Sequence, residues 1–147
     1  MKASSRTLPL LVRLAENKVK AVLHRIGEVK AMLEKLDDRQ RQVKELKKDY
    51  LNRLKQVQID KGLVEAQNLR SFIKNLLEME DRLKAERQSI QARLDQAMTE
   101  LRTAQVEQKK MESLLERQTN REVKAQEKKD QRAMDAAGIA RFNRQPV

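Results

Sequence analysis

Two long series of apolar residues, each spaced alternately by four and three positions, constrain this chain more than any other feature. The first series extends from Leu8 to Val57 and the second from Leu69 to Gln118. Such a period places the apolar side chains along one narrow stripe of an α-helix, here called the seam, as in a heptad coiled coil. Between the two series the spacing is interrupted, and Gly62 is the only glycine there. Because glycine tolerates backbone conformations that other residues avoid, we expect the chain to reverse direction at this point.

These patterns predict an all-α fold, a long antiparallel two-helix coiled-coil hairpin. Thr7 and Pro9 suit the first turn of a helix, where threonine caps the end and the N–H that proline lacks would be unpaired anyway. Gly138 and Pro146 indicate that helical structure frays near the other terminus. The predicted boundaries, within one domain of residues 1–147, are helix 1 at about 8–58, a turn at about 59–67, helix 2 at about 68–135 and a flexible tail at 136–147.

The composition favours long helices over a globular core. Only 2% of the residues are aromatic and 37% are charged, which is typical of helices with a narrow apolar seam. The absence of cysteine excludes disulfides and thiolate metal sites. No apolar run is long enough to cross a membrane, and the short apolar run near the N-terminus ends at Arg13. We therefore expect a soluble, cytoplasmic protein.

Polar residues inside the two seams predict how the helices pair. When the chain is folded antiparallel about the interruption, Lys47 faces Glu80 and Gln40 faces Arg87. In a parallel homodimer Lys47 would instead face its own copy, an unfavourable contact between like charges. The hairpin converts this conflict into an ion pair, so we expect a monomer in which Lys47 and Glu80 share one layer of the seam.

The positive charge of the chain is unevenly distributed. The net charge is +11, and basic residues outnumber acidic ones by 15 to 8 in residues 1–60, by 11 to 10 in 61–118 and by 7 to 4 in 119–147. Nucleic acid, an anionic membrane and an acidic protein are all compatible partners. Acidic residues interleave the basic ones and stacking aromatics are scarce, so a solvated helix face is favoured over a nucleic-acid site. A membrane-surface helix is less favoured still, because the seam is already covered by the partner helix. The basic clusters in question are Arg39, Arg41, Lys44, Lys47 and Lys48, and then Lys124, Lys128 and Lys129.

Residues suited to catalysis are scarce. The single histidine, His24, falls on the face opposite the seam, with no second histidine or cysteine to complete a metal site. Acidic residues are scattered among basic ones, which does not favour a carboxylate pair acting as general acid and base. The three glycines are too far apart to form a phosphate-binding loop. We therefore expect no enzymatic activity, no cofactor and no metal.

A set of short motifs, in order along residues 8–135, resembles the flagellar export protein FliJ family. Each motif alone is weak because coiled coils share composition, and their joint order and spacing carry the resemblance. The motifs are LAENKV at 14–19, IGE at 26–28, Tyr50 and Leu54, FI at 72–73, Leu76, RQT at 117–119, DQ at 130–131 and MD at 134–135.

The resemblance implies a component of the cytoplasmic ATPase complex of the flagellar type III export apparatus. In this family an antiparallel coiled coil resembles the central shaft of rotary ATPases. Its open end, which carries both termini, inserts into the hexameric export ATPase, and its hairpin tip reaches the cytoplasmic domain of the export-gate membrane protein. Substrate chaperones are further implied partners. The implied location is peripheral to the inner membrane at the flagellar base, through these partners.

Two sets of site residues are implied by the same resemblance. Seam packing explains Tyr50 and Leu76 as well as a partner contact does, whereas Phe72 lies one position off the seam and is the best candidate for an exposed anchor. The residues implied to contact the export gate are Tyr50, Phe72 and Leu76, with Val43, Leu46, Met79 and Leu83 at corresponding positions but with different side chains. The residues implied at the ATPase end are Leu14, Ala15, Glu16, Arg117, Gln118, Asp130 and Gln131.

Two functions stay open at this point. The first is a non-enzymatic stalk that couples the export ATPase to the export gate. The second is a basic coiled-coil protein that binds nucleic acid or associates with the nucleoid. Within the first, the YscO-type stalk proteins of virulence type III secretion share the architecture, so the flagellar and virulence systems are not separated.

Overall fold

The computed structural model describes residues 6–60 and 62–144, without the side chains of residues 58–60. Two helices account for nearly all of this range: α1 at Thr7–Asp60, with 54 residues, and α2 at Leu63–Arg144, with 82 residues. The helices pack against each other as an antiparallel hairpin, which confirms the predicted all-α fold.

The hairpin contains two compact units. One unit is formed by Met1–Lys20 with Arg102–Val147, and the other by Ala21–Leu101. Each unit contains a segment of α1 and a segment of α2. The single domain of residues 1–147 stays a prediction.

Burial follows the predicted seam in both helices. From Leu8 to Val57 and from Leu69 to Gln118, every seam residue is buried or half-buried. In the unit Ala21–Leu101 a continuous apolar core forms, with Tyr50 and Leu94 packed against it. This core consists of Val29, Leu33, Leu36, Val43, Leu76, Leu83 and Ile90. In the other unit the buried residues are the small or branched Val12, Ala15 and Ala104.

The ion pair predicted from seam matching is present. Lys47 Nζ lies 2.8 Å from Glu80 Oε1. This contact fixes the register of the two helices in the unit Ala21–Leu101 and confirms the predicted layer. Arg87, predicted to face Gln40 across the seam, also forms an ion pair that seam matching did not predict. Its Nε donates to Asp37 Oδ1 at 2.7 Å. A carboxylate at the edge of the seam is within reach of the long arginine side chain, and it offers a charge that the glutamine amide lacks.

The predicted turn at 59–67 is too long. Helix α1 continues to Asp60 and α2 begins at Leu63. The Gly62 carbonyl accepts from the Ala66 N–H at 2.9 Å, the first bond of α2, and the Gly62 N–H donates to the Val57 carbonyl at 3.4 Å. Ala66 is buried and continues the seam three positions before Leu69, so apolar contact extends α2 toward its N-terminus. The backbone φ of Gly62 lies outside the left-handed region, so no left-handed conformation requires a glycine there.

The predicted flexible tail at 136–147 is helical as far as Arg144, and residues 145–147 lie outside the described range. The segment contains Ala136, Ala137 and Ala140, and alanine is the strongest helix former. A single interior glycine weakens a helix by about 1 kcal/mol, which these alanines offset. The basic residues Arg141 and Arg144 in the last turn also stabilise the negative end of the helix dipole.

Candidate functional site

An aromatic pair lies near the turn, in the unit Ala21–Leu101. The rings of Tyr50 on α1 and Phe72 on α2 have centroids 4.8 Å apart and planes inclined by 36°. The guanidinium carbon of Arg53 lies 5.2 Å from the centre of the Tyr50 ring. Tilted aromatic pairs and cation–π contacts each contribute about 0.5–1.5 kcal/mol, so the three side chains hold one another in place.

Leu46 lies four positions before Tyr50 on α1, and Met79 lies seven positions after Phe72 on α2, so each shares a helix face with its aromatic residue. We call these four residues, Leu46, Tyr50, Phe72 and Met79, the tip surface. Leu46 and Met79 are each 45% exposed, Phe72 is 49% exposed and Tyr50 is half-buried. A two-helix hairpin needs only its seam for stability, so these large apolar side chains remain available to a partner. The tip surface therefore combines a rigid aromatic centre with two aliphatic neighbours.

Three other residues predicted to contact the export gate lie in the core instead. Val43, Leu76 and Leu83 are 6%, 5% and 8% exposed, respectively, and belong to one apolar cluster. They hold the two helices in register beneath the tip surface. Substituting them would destabilise the hairpin as well as any contact made by the surface above. Of the seven residues predicted for the gate, four are therefore placed to touch a partner directly.

The residues predicted at the ATPase end all lie in the unit formed by Met1–Lys20 with Arg102–Val147. On α1, Leu14 is 55% exposed, Ala15 is buried in the seam and Glu16 is half-buried. On α2, Arg117 is exposed and Gln118 is half-buried. The Gln118 Oε1 atom is buried without a hydrogen-bond donor among the described residues.

Asp130 and Gln131 belong to a different part of that unit. Beyond Gln118 every residue of α2 from 119 to 144 is exposed. Asp130 Oδ1 accepts from Gln126 at 3.1 Å and Gln131 donates to Asp135 at 3.2 Å, both within the helix. The structure thus divides the predicted ATPase residues between the last seam layers and an extension of α2 about 18 Å further along the helix.

The single histidine lies away from both predicted sites. His24 Nε2 lies 3.0 Å from Glu28 Oε1 on an exposed helix face. No cluster of three or more His, Cys, Asp or Glu side chains among the described residues is placed to hold a metal ion. None of the described helices is long and apolar enough to cross a membrane.

Arg53 is a member of the site that the sequence motifs did not indicate. Its position three residues after Tyr50 places the two side chains on neighbouring turns of one helix face. That spacing was a usable signal, because arginine is a frequent partner of an aromatic face.

Comparison with known proteins gives one match. A family model described as "Flagellar FliJ protein" matches residues 4–146, nearly the whole chain. No curated protein and no solved structure matches the chain significantly.

Proposed function

Because this chain belongs to the flagellar FliJ protein family and is therefore a component of the flagellar export apparatus, we propose that it is the central stalk that couples the hexameric export ATPase to the export gate. The family is a structural, non-catalytic part of that apparatus, and we extend this to the chain itself. The observation that carries the proposal is the tip surface, where a rigid aromatic pair stays half-exposed beside the turn of a hairpin.

The tip surface is proposed to bind the cytoplasmic domain of the export-gate membrane protein. Phe72 is the central anchor, since its ring is both exposed and held by Tyr50 at 4.8 Å. A preorganised aromatic side chain loses little conformational freedom on binding, which favours its role as an anchor. Leu46 on α1 and Met79 on α2 extend the apolar contact along the two helices, away from the turn. Val43, Leu76 and Leu83 support the surface from the core and act on the gate only through it.

The open end is proposed to bind the export ATPase. Leu14 and Arg117 offer exposed apolar and cationic contacts, and Gln118 lies half-buried in the last layer of the seam. The extension of α2 beyond Gln118 adds exposed polar groups, among them Asp130 and Gln131. A helix with no buried face of its own is suited to a partner that surrounds it.

The remaining parts of the proposal rest on the family alone. They are escort of substrate chaperones, a cytoplasmic location, and attachment to the inner membrane at the flagellar base through the gate and the ATPase. The family description favours the flagellar over the virulence system. A monomer in isolation is supported by the Lys47–Glu80 pair, which forms within one chain.

The proposal is tested by comparing two alanine variants of α2. Phe72→Ala removes the anchor, whereas Leu77→Ala removes a side chain of similar exposure, 48%, on the other flank of the same helix. Binding of each variant to the purified gate domain is measured by titration calorimetry, and binding to the ATPase is measured in parallel. We expect Phe72→Ala to weaken gate binding by about tenfold or more and to leave ATPase binding unchanged. Equal gate affinities for the two variants would refute the tip surface as the contact.

A further inference from the structure

One flank of the hairpin near the turn is strongly basic. The basic flank is defined as ten exposed residues beside the seam, five on each helix. They include five lysines and two arginines but only one acidic residue. On α1 the residues are Arg41, Lys44, Lys48, Leu51 and Lys55, and on α2 they are Arg70, Lys74, Leu77, Asp81 and Lys84.

A groove between the helices shows that these residues share one surface. Arg41 and Lys44 from α1 and Asp81 and Lys84 from α2 all line it. The seam-side residues Asp37, Gln40 and Glu80 line it as well, and the two carboxylates pair with Arg87 and Lys47, respectively. Residues seven positions apart occupy the same face of a heptad helix. Each of the other six residues of the basic flank lies seven or fourteen positions from one of these four. The ten side chains therefore form one continuous strip, all within the unit Ala21–Leu101.

The opposite flank, which carries the tip surface, has a different character. Over the same length it holds two arginines against one aspartate and is otherwise polar or apolar. Its residues are Gln42, Leu46, Asp49, Arg53, Phe72, Asn75, Met79 and Arg82. Most of the positive charge near the turn thus lies on one side of the hairpin.

The charges of the basic flank are mostly uncompensated. Arg41 forms an ion pair with Asp38 on the same helix. The other basic residues of the flank form no ion pair within 4.0 Å with any side chain that the structure describes. Neighbouring positive charges without partners repel one another, and an anionic surface would relieve that repulsion.

We propose that the basic flank binds the surface of an anionic lipid membrane. Leu51 and Leu77, 40% and 48% exposed, lie among the lysines on this flank. Leucines that enter the headgroup region while lysine stems extend to the phosphates are the pattern of helices that lie on membranes. A nucleic acid would use the charges but not the leucines, and the flank has no aromatic residue to stack on bases. This proposal uses the surface opposite the tip surface and does not depend on the stalk function.

Flotation of the full chain with lipid vesicles tests the proposal. Phosphatidylcholine vesicles with and without phosphatidylglycerol are compared across a salt series. The charge variant replaces three lysines of the basic flank by glutamate: Lys44→Glu, Lys48→Glu and Lys74→Glu. Its control has the same net charge and replaces three lysines far from the flank: Lys124→Glu, Lys128→Glu and Lys129→Glu. The apolar variant is Leu51→Ser with Leu77→Ser. Its control, Leu46→Ser with Met79→Ser, removes side chains of similar exposure from the other flank.

We expect binding to the anionic vesicles only, weakened by added salt. The charge variant should bind about tenfold more weakly or worse, and the apolar variant several-fold more weakly, with both controls near the unaltered chain. Circular dichroism of each variant establishes that the helices are retained. Equal losses in a variant and its control would overturn the proposal. Absence of binding to anionic vesicles at low salt would also overturn it. So would binding to duplex DNA that is tighter than binding to the vesicles and that the leucine substitutions do not change.

Discussion

Replacing Lys47 and Glu80 by methionine, singly and together, measures the ion pair that sets the helix register. Their side chains are 26% and 31% exposed and their charged atoms are 2.8 Å apart. Glu80 Oε1 is buried and has no hydrogen bond of good geometry from the described residues, so the nearby Lys47 ammonium compensates its charge. Exposed pairs contribute about 0.2–1 kcal/mol, and breaking a fully buried pair costs about 3–5 kcal/mol. This half-buried pair should show a coupling free energy of about 1–2 kcal/mol.

The double variant should be more stable than the sum of the single variants predicts, and more stable than Lys47→Met alone. Lys47→Met leaves the Glu80 carboxylate in the seam without its counter-charge, whereas the double variant places two apolar side chains there. Unfolding in urea, followed by circular dichroism, gives each free energy of unfolding. Urea is preferred because guanidinium is itself a salt that screens the interaction.

Arg25 and Glu100 provide a matched control cycle in the same unit. Their charged atoms are 2.7 Å apart, but their side chains are 52% and 39% exposed. The coupling there should stay below about 1 kcal/mol and disappear with added salt. Additive effects in the Lys47–Glu80 cycle would refute the register. Equal coupling in the two cycles would refute the argument from burial.

Three further outcomes are expected from urea unfolding. Leu76 is in the core, so Leu76→Ala should lower the free energy of unfolding by about 3 kcal/mol. Phe72 is half-exposed, so Phe72→Ala should lower it by only about 1–2 kcal/mol. Equal losses for the two variants would place Phe72 in the core. Gly62→Ala should destabilise by about 1 kcal/mol. Its new Cβ would lie 3.1 Å from Val57 Cγ1, so this stiff side chain must shift by a few tenths of an ångström, whereas Glu65 at 3.5 Å is in ordinary contact and no left-handed φ is needed. A loss of several kcal/mol would contradict this. Removing residues 121–147 should leave the midpoint unchanged, because the described residues 121–144 are all exposed; a lower midpoint would reveal packing there.

Much of the fold could be predicted because one physical rule governs it. A helix whose apolar residues recur alternately every three and four positions packs against a second helix with the same spacing. The spacing alone therefore predicted which residues from Leu8 to Val57 are buried or half-buried. The polar layer was predictable as well, since Lys47 and Glu80 were the one pair of seam residues with opposite charges in matching layers. Arg87 was harder to assign. Its side chain reaches Asp37 beside the seam, and matching only the seam residues leaves such diagonal contacts out.

The ends of the helices were less predictable than their middles. Leu63 and Val64 are 75% and 72% exposed in the first turn of α2, so no burial pattern indicated a helix there. Ala66 did carry a signal, because it continues the seam before Leu69, but a single alanine is a weak apolar mark. The last part of α2, up to Arg144, is helical because alanine favours helices and because the basic residues near its end stabilise the helix dipole. Neither effect produces a regular spacing of apolar residues, so the seam pattern did not indicate this helix.

The exposure of the candidate site was partly predictable from the sequence. The resemblance gave seven residues, and the seam period placed Leu76 within the seam and Phe72 one position beside it. The structure shows Leu76 buried and Phe72 49% exposed, as that spacing indicates. A residue within the seam is buried between the helices, whereas its neighbour one position away faces solvent and can contact a partner. The contact between Tyr50 and Phe72 also depends on the register of both helices, which no single motif contains.

We propose that one chain binds the export ATPase and the export gate at the same time, through different parts of the hairpin. Mass photometry of the chain mixed with the ATPase hexamer and the gate's cytoplasmic domain tests this most directly. We expect a ternary complex, from which Phe72→Ala loses only the gate domain and removal of residues 121–147 loses only the ATPase. Displacement of one partner by the other, or loss of both partners through a single variant, would contradict it.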